Sequence, residues 1–260
     1  MSAEISPTDR AGAFVLSMDG HPQSCVDLDD PARLDFDYVR RIADVVDAWG
    51  TPGEPVRVLH VGGAAMTVPR YVAHTRPRSA QVVLEPAADV TELVRRELPL
   101  PPRSGIKVRP VDGRTGLGSF RDGGLDLVVV DAFVEGRVPG DLVTAECAAA
   151  YGRILAGDGL LLLNLVDAAP FAWTRRVVAA VRTVLPVVVL SAEPATLRGR
   201  RPGNLLLVAG RATVPASALR ARAASSPSPY KVLDGGQVSD TVGGGVPFVD
   251  DDTSASPPAS

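Results

Sequence analysis

Residues 56–86 read VRVLHVGGAAMTVPRYVAHTRPRSAQVVLEP. A mostly apolar run, 56–61, breaks at Gly62-Gly63, passes through small residues into a helix-like segment, and gives way to a second apolar run, 81–84, that ends in Glu85. The order is strand, glycine turn, helix, strand, acid. Glycines let backbone approach a ligand closely, and a carboxylate at the next strand's tip can accept both hydroxyls of a ribose. The stretch therefore reads as a nucleoside site. A Gly-Gly pair after a buried strand also serves as a plain tight turn, and Ala64, Ala65 and Thr67 fill the later places of G-x-G-x-x-G, so both readings stay open here.

Working outward, residues 13–18 and 23–28 predict a small N-terminal hairpin about Asp19-Gly20, with residues 1–11 frayed. Phe36, Val39, Ile42, Ala43 and Val46 fall at helical spacing within 34–49. Downstream, helices are expected over 87–98, 142–155 and 171–185, and strands over 107–111, 125–130, 160–165, 187–190 and 204–209, with Gly157 to Gly159 as a turn. Strands alternating with helices predict an α/β fold: a doubly wound, mostly parallel, seven-stranded Rossmann-like sheet, because parallel neighbours need crossover helices. The expected divisions are residues 1–50 (hairpin and helix), 51–212 (the nucleoside-binding domain) and 213–260. That last part is read as an Ala/Arg helix over 214–226 and a disordered tail ending in DDDTSASPPAS.

Composition narrows the function classes. A net charge of −3 offers no electrostatic footprint for nucleic acid, and the basic residues are nearly all arginine, with lysine only at Lys107 and Lys231. Cys25 and Cys147 lie far apart without neighbours at ligand spacing, so two buried free thiols are expected and no metal site. No apolar run spans a bilayer, and the first residues lack a basic start followed by an apolar core. A cytoplasmic protein with no membrane partner is the expectation.

Gly62, Gly63, Glu85, Asp112 and Asp131 all stand just beyond consecutive strands, and ligands bind such sheets at the carboxyl ends of strands. Each acid taken singly is also a natural cap or turn former. These residues carry a resemblance. MDGHPQS (18–24) is similar to the L-D-G-x-x-Q-x hairpin of the spermidine synthase (polyamine aminopropyltransferase) family, and VGGAAMTVPR (61–70) to its I-G-G-G-D-G-G-T-L-R. LEP (84–86) resembles its V-E-I-D, DGR (112–114) its G-D-G-R, and VVVDAF (128–133) its I-x-D-S-S-D-P. The resemblance implies a methyltransferase-type Rossmann fold and a site for decarboxylated S-adenosylmethionine or S-adenosylmethionine, used as substrate without a metal. By that likeness Glu85 would hold the ribose, Asp112 with Gly113 the adenine side, Gly62 and Gly63 the nucleoside face, Gln23 the sulfonium end, and Asp131 would be the base. The implied partner is a small-molecule amine acceptor, and family members commonly form homodimers.

The sequence departs from the family at four acceptor-side positions: Ala65 and Val134 stand where acids are usual, and Val39 and Arg40 where the family has His and Glu. Glu135, in the loop after the strand 125–130, or Asp167, near the end of the next, is a candidate substitute, and Glu135 before Gly136 reads equally well as a solvated turn residue. Methyl transfer, a non-catalytic nucleoside-binding homologue and a nicotinamide-dependent dehydrogenase are the competing readings.

Overall fold

The structure, a computed structural model, describes residues 2–258 and divides into two units, Met1–Gly113 and Arg114–Ser260.

The first unit opens with three antiparallel strands, β1 (Ala3–Pro7), β2 (Ala13–Met18) and β3 (His21–Asp27). Residues 3–7 are thus a strand and not a frayed end. The physical reason is burial: Ala3 and Ile5 join an apolar cluster of Leu16, Val26, Ala65, Met66, Val90, Val94 and Leu98, which removes them from water. Then follow α1 (Asp37–Ala48), β4 (Arg57–Val61), α2 (Thr67–Thr75), β5 (Ala80–Leu84), α3 (Ala88–Glu97) and β6 (Ile106–Arg109). β5 pairs parallel with both β4 and β6, as the intervening helices require. The carboxy-terminal end of α1 is closed by buried Arg76, which donates to the carbonyls of Val46 (2.6 Å), Trp49 (2.5 Å), Thr51 (2.9 Å) and Glu54 (3.2 Å). One guanidinium so satisfies helix-end acceptors that would otherwise lack partners.

After the single turn α4 (Gly113–Gly116), the second unit comprises β7 (Leu125–Val130), α5 (Ala145–Ile154), β8 (Leu155–Asp167), α6 (Ala172–Arg182), β9 (Val187–Ala192), α7 (Pro194–Leu197), β10 (Gly203–Gly210), α8 (Ala216–Ser225), β11 (Lys231–Asp234) and α9 (Gly235–Val242). Its strands lie in the order β11-β9-β10-β8-β7. β7 and β8 are parallel, whereas β10 runs antiparallel to β8 and β9, and β11 antiparallel to β9. Residues 157–159 do not turn the chain; β8 continues through them. A Cβ on Gly159 would meet the Asp126 carbonyl oxygen at 2.9 Å, and the β7–β8 register shifts beside it. That glycine therefore serves close strand approach.

Besides the small amino-terminal sheet, the described residues form eight strands of the α/β fold against the seven expected, and the extra one, β11, comes from the tail. The expected disorder of that tail is corrected by a few spaced apolar residues: Val232, Val238, Val242 and Phe248 are all buried. The Phe248 ring lies 5.9 Å from that of Trp173, with the Arg176 guanidinium 4.0 Å from its centroid. Trp173 donates to Ser254 O (2.9 Å), and Ser256 exchanges two hydrogen bonds with the Val138 backbone (2.9 and 3.0 Å). The acids Asp250 and Asp252 pair with Arg114 and Arg176. Composition averages hide such anchors.

Both cysteines are buried free thiols. Among the described residues no helix is long and apolar enough to cross a membrane. Phe248→Ala should cost about 3 kcal/mol, as large-to-small core changes do, read in urea denaturation as a lower midpoint with an unchanged slope.

Candidate functional site

The glycine turn is built by backbone demands that its residues meet. Gly62, at φ +89°, continues the ladder by donating to Leu84 O (3.0 Å). Gly63 is glycine for packing: a Cβ there would lie 2.7 Å from Val83 Cγ1. Ala64 (φ +40°) and Met66 (φ +63°) also adopt left-handed conformations, unfavourable for residues with a side chain. Two charged side chains hold this strained turn. Glu85 Oε2 accepts from Gly63 N (2.9 Å) and Ala64 N (3.2 Å), and its Oε1 accepts from Ala87 N (3.0 Å). Buried Arg70 donates to Ala65 O (3.2 Å), Pro99 O (3.1 Å) and Leu98 O, and desolvation lowers its pKa to about 10.

The N-terminal sheet is joined to the same turn. Ala65 N donates to Ser24 Oγ (3.4 Å) and Thr67 Oγ1 to Cys25 O (3.0 Å). Between the pairs Leu16↔Ser24 and Ser17↔Pro22, Gln23 is the extra residue of a β-bulge, a device that re-aims a side chain. Gln23, Gly62, Gly63, Glu85, Asp112 and Gly113 thus all lie in the first unit, the first four tied into one region by the contacts just described. Asp112 is exposed and immediately precedes α4, which begins at buried Gly113. An ionised carboxylate offers about four acceptor positions, and backbone donors take three on Glu85, so one remains on Oε1 for a ribose hydroxyl. The residues therefore fit a nucleoside, with the carboxylate already oriented.

Asp131 belongs to the second unit, just past β7. Burial raises its pKa to about 6, against the lowering effect of a hydrogen bond from Asn164 Nδ2 (2.8 Å). Asn164 Oδ1 in turn accepts from Asn204 Nδ2 (3.0 Å). Asn204 carried no sequence signal, because only the antiparallel placing of β10 beside β8 brings it here. Asp167 is buried, and its oxygens accept from Ala168 N (2.8 Å) and Thr174 N (2.9 Å), which anchors it to the start of α6. Glu135 is an exposed left-handed residue in the tight turn bridged by Val134 and Arg137. Neither substitutes for the missing acids. Ala65 is wholly buried in the apolar cluster, where a carboxylate would be desolvated, whereas Val134 is 58% exposed. Among the described residues no group of three or more His, Cys, Asp or Glu could hold a metal ion.

No protein-family model and no curated protein matches the chain. Its fold matches solved structures closely. A probable spermidine synthase from Corynebacterium glutamicum superposes with a TM-score of 0.88 at 27% identity, over 95% of this chain and 92% of that one. A spermidine synthase in complex with the transition state analogue AdoDATO gives 0.56 at 16%, over 92% and 82%. Human Methyltransferase-like protein 13 in complex with SAH gives 0.57 at 18%, over 72% and 92%. The architecture is thus the methyltransferase-type Rossmann fold. Within that class the chain is a divergent spermidine synthase-like protein.

Two predictions concern stability. Gly63→Ala should destabilise by about 1–3 kcal/mol through overpacking, and Gly63→Ala with Val83→Ala should be more stable than Gly63→Ala alone. If the glycine served only ligand approach, the second change would add its own loss instead. Asp131, with a folded pKa raised above the unfolded 3.8, holds its proton more tightly when folded, so its contribution falls as pH rises from about 4 to 6. Asp131→Asn should therefore gain on the order of 1–2 kcal/mol at pH 8, allowing for partial exposure, and nothing at pH 3.5. Buried His60, lowered to about 4, acts with the opposite sign, losing stability as pH falls below about 6.5; the variant must be compared with wild type at each pH.

Proposed function

We propose that this protein is a transferase that takes its group from a sulfonium nucleoside, and that the group is the aminopropyl of decarboxylated S-adenosylmethionine, passed to a small amine. The observation that carries the reading is Glu85, oriented at the end of a parallel strand on a glycine turn, which is where this fold class binds nucleosides. The likeness to the probable spermidine synthase over nearly the whole chain supports the choice of group.

In this reading Glu85 Oε1 takes a ribose hydroxyl, the Asp112–Gly113 corner borders the adenine, and Gln23 on its bulge meets the sulfonium end. The sulfonium makes the adjacent carbon electrophilic. A neutral amine nitrogen attacks that carbon, the new C–N bond forms as the C–S bond breaks, and the sulfur leaves with the electron pair as a thioether. The nitrogen then carries a surplus proton, which Asp131 accepts. With a pKa of about 6, Asp131 is ionised at neutral pH yet more basic than an ordinary carboxylate.

Methyl transfer from S-adenosylmethionine is the second reading, favoured by Ala65 and Val134. It needs alignment of a nucleophile but no acidic pocket for a polyamine. Mass spectrometry of the nucleoside product separates the two. Amine-dependent methylthioadenosine from decarboxylated S-adenosylmethionine is the expected result, and S-adenosylhomocysteine from S-adenosylmethionine with cell extract would mean methyl transfer instead. Asp131→Asn should lower turnover at least 100-fold, as loss of a general base does, with nucleoside affinity by calorimetry unchanged. Failure of the wild type to bind either nucleoside would sink both readings.

A further inference from the structure

The polar groups behind Asp131 line up on one face of a sheet otherwise made largely of Leu and Val. Val130 of β7 stands opposite Leu163 of β8, so Asp131 and Asn164 follow in register. On the other side of β8, Asn164 is opposite Leu206 and Val166 opposite Asn204. Alternate residues share a face, so Asn204 is the diagonal neighbour of Asn164. Asn164 is buried, where an unmatched amide would be costly.

The two hydrogen bonds have a direction. Asn204 donates to Asn164 Oδ1, and Asn164 donates to Asp131 Oδ1. An amide has one donor end and one acceptor end. Alone, Asn164 could face Asp131 with either; with its carbonyl turned that way, two acceptors would meet unless the carboxyl were protonated. Asn204, by occupying the Asn164 carbonyl, leaves only the N–H end for Asp131. Asp131 Oδ1 is then engaged, and its Oδ2 accepts no hydrogen bond among the described residues.

We infer that Asn164 and Asn204 are positioning residues for Asp131: a two-amide relay that keeps Oδ1 hydrogen-bonded and presents Oδ2 as the atom that takes the substrate's proton. The inference rests on Asp131 being the base proposed above. Asn204 makes no hydrogen bond to Asp131, donates to Asn164 and has a further partner of its own, and in this scheme it serves Asp131 by setting which way Asn164 faces.

The test is the Asp131 titration followed by carboxyl 13C NMR on the substrate-free full chain, together with the pH profile of kcat. Asn164→Leu removes the donor and should raise the titration midpoint by about one unit. Asn204→Leu should raise it by at least half as much, with the acid limb of kcat moving in parallel and nucleoside KM unchanged. A midpoint in Asn204→Leu equal to wild type overturns the relay, as does an unchanged midpoint in Asn164→Leu. If Asn204→Leu does not fold, Asn204→Ala replaces it, with the same rise expected and an unchanged midpoint overturning the inference. The NMR readout needs no turnover, so failure of Asp131 as base appears separately, as retained activity in Asp131→Asn.

Discussion

The turn after β4 is held between opposite charges, and the first unit is organised about that arrangement. Glu85 grips the turn's N–H groups while Arg70 grips the Ala65 carbonyl. Charged partners make stronger hydrogen bonds than neutral ones, which suits a turn with three positive-φ residues in a row of five, Gly62, Ala64 and Met66. Arg70 also reaches the end of α3, and Ala65 and Met66 extend the same apolar cluster that orders β1. The glycine turn, a helix end and the N-terminal sheet therefore share one set of contacts, and strain in the turn is stabilised by everything packed around it.

The second unit faces a different constraint, a carboxylate set at the end of a sheet with too few polar neighbours. Burial pushes Asp131 up to about 6, a cost to folding of the kind that functional sites often carry. A hydrogen-bond donor favours the ionised form of such a group, and the amides of two neighbouring strands are suited to supply it because they carry no charge to be desolvated. Packing accounts for the absence of an acid at position 65, which lies in the core, whereas nothing in the structure explains the valine at exposed position 134, beside a tight turn.

Much of this was legible from residue order. The apolar run into Gly62-Gly63, the return to Glu85 and the alternation that followed determined the α/β class, the parallel strands and the acids at their ends, because strand and helix periods and glycine turns are local properties. Cys25 and Cys147 as buried free thiols followed from spacing alone. The order of the tail was not legible: four spaced apolar residues among Gly, Ser and Asp are invisible in a composition and decisive once Trp173 and Arg176 offer a surface to cover.

Only the tertiary structure decided what each glycine and acid is for. Gly63 and Gly159 are small because a neighbouring strand passes closer than van der Waals contact to where a Cβ would sit, and buried Asp167 is held by the backbone at the start of α6. Asn204 acquires its place beside Asn164 from antiparallel pairing between strands 40 residues apart in sequence. The sequence by itself determined the elements and their ends, since those depend on neighbours along the chain. Which side chains meet, and in which direction their hydrogen bonds run, depends on neighbours in space, which sequence distance does not encode.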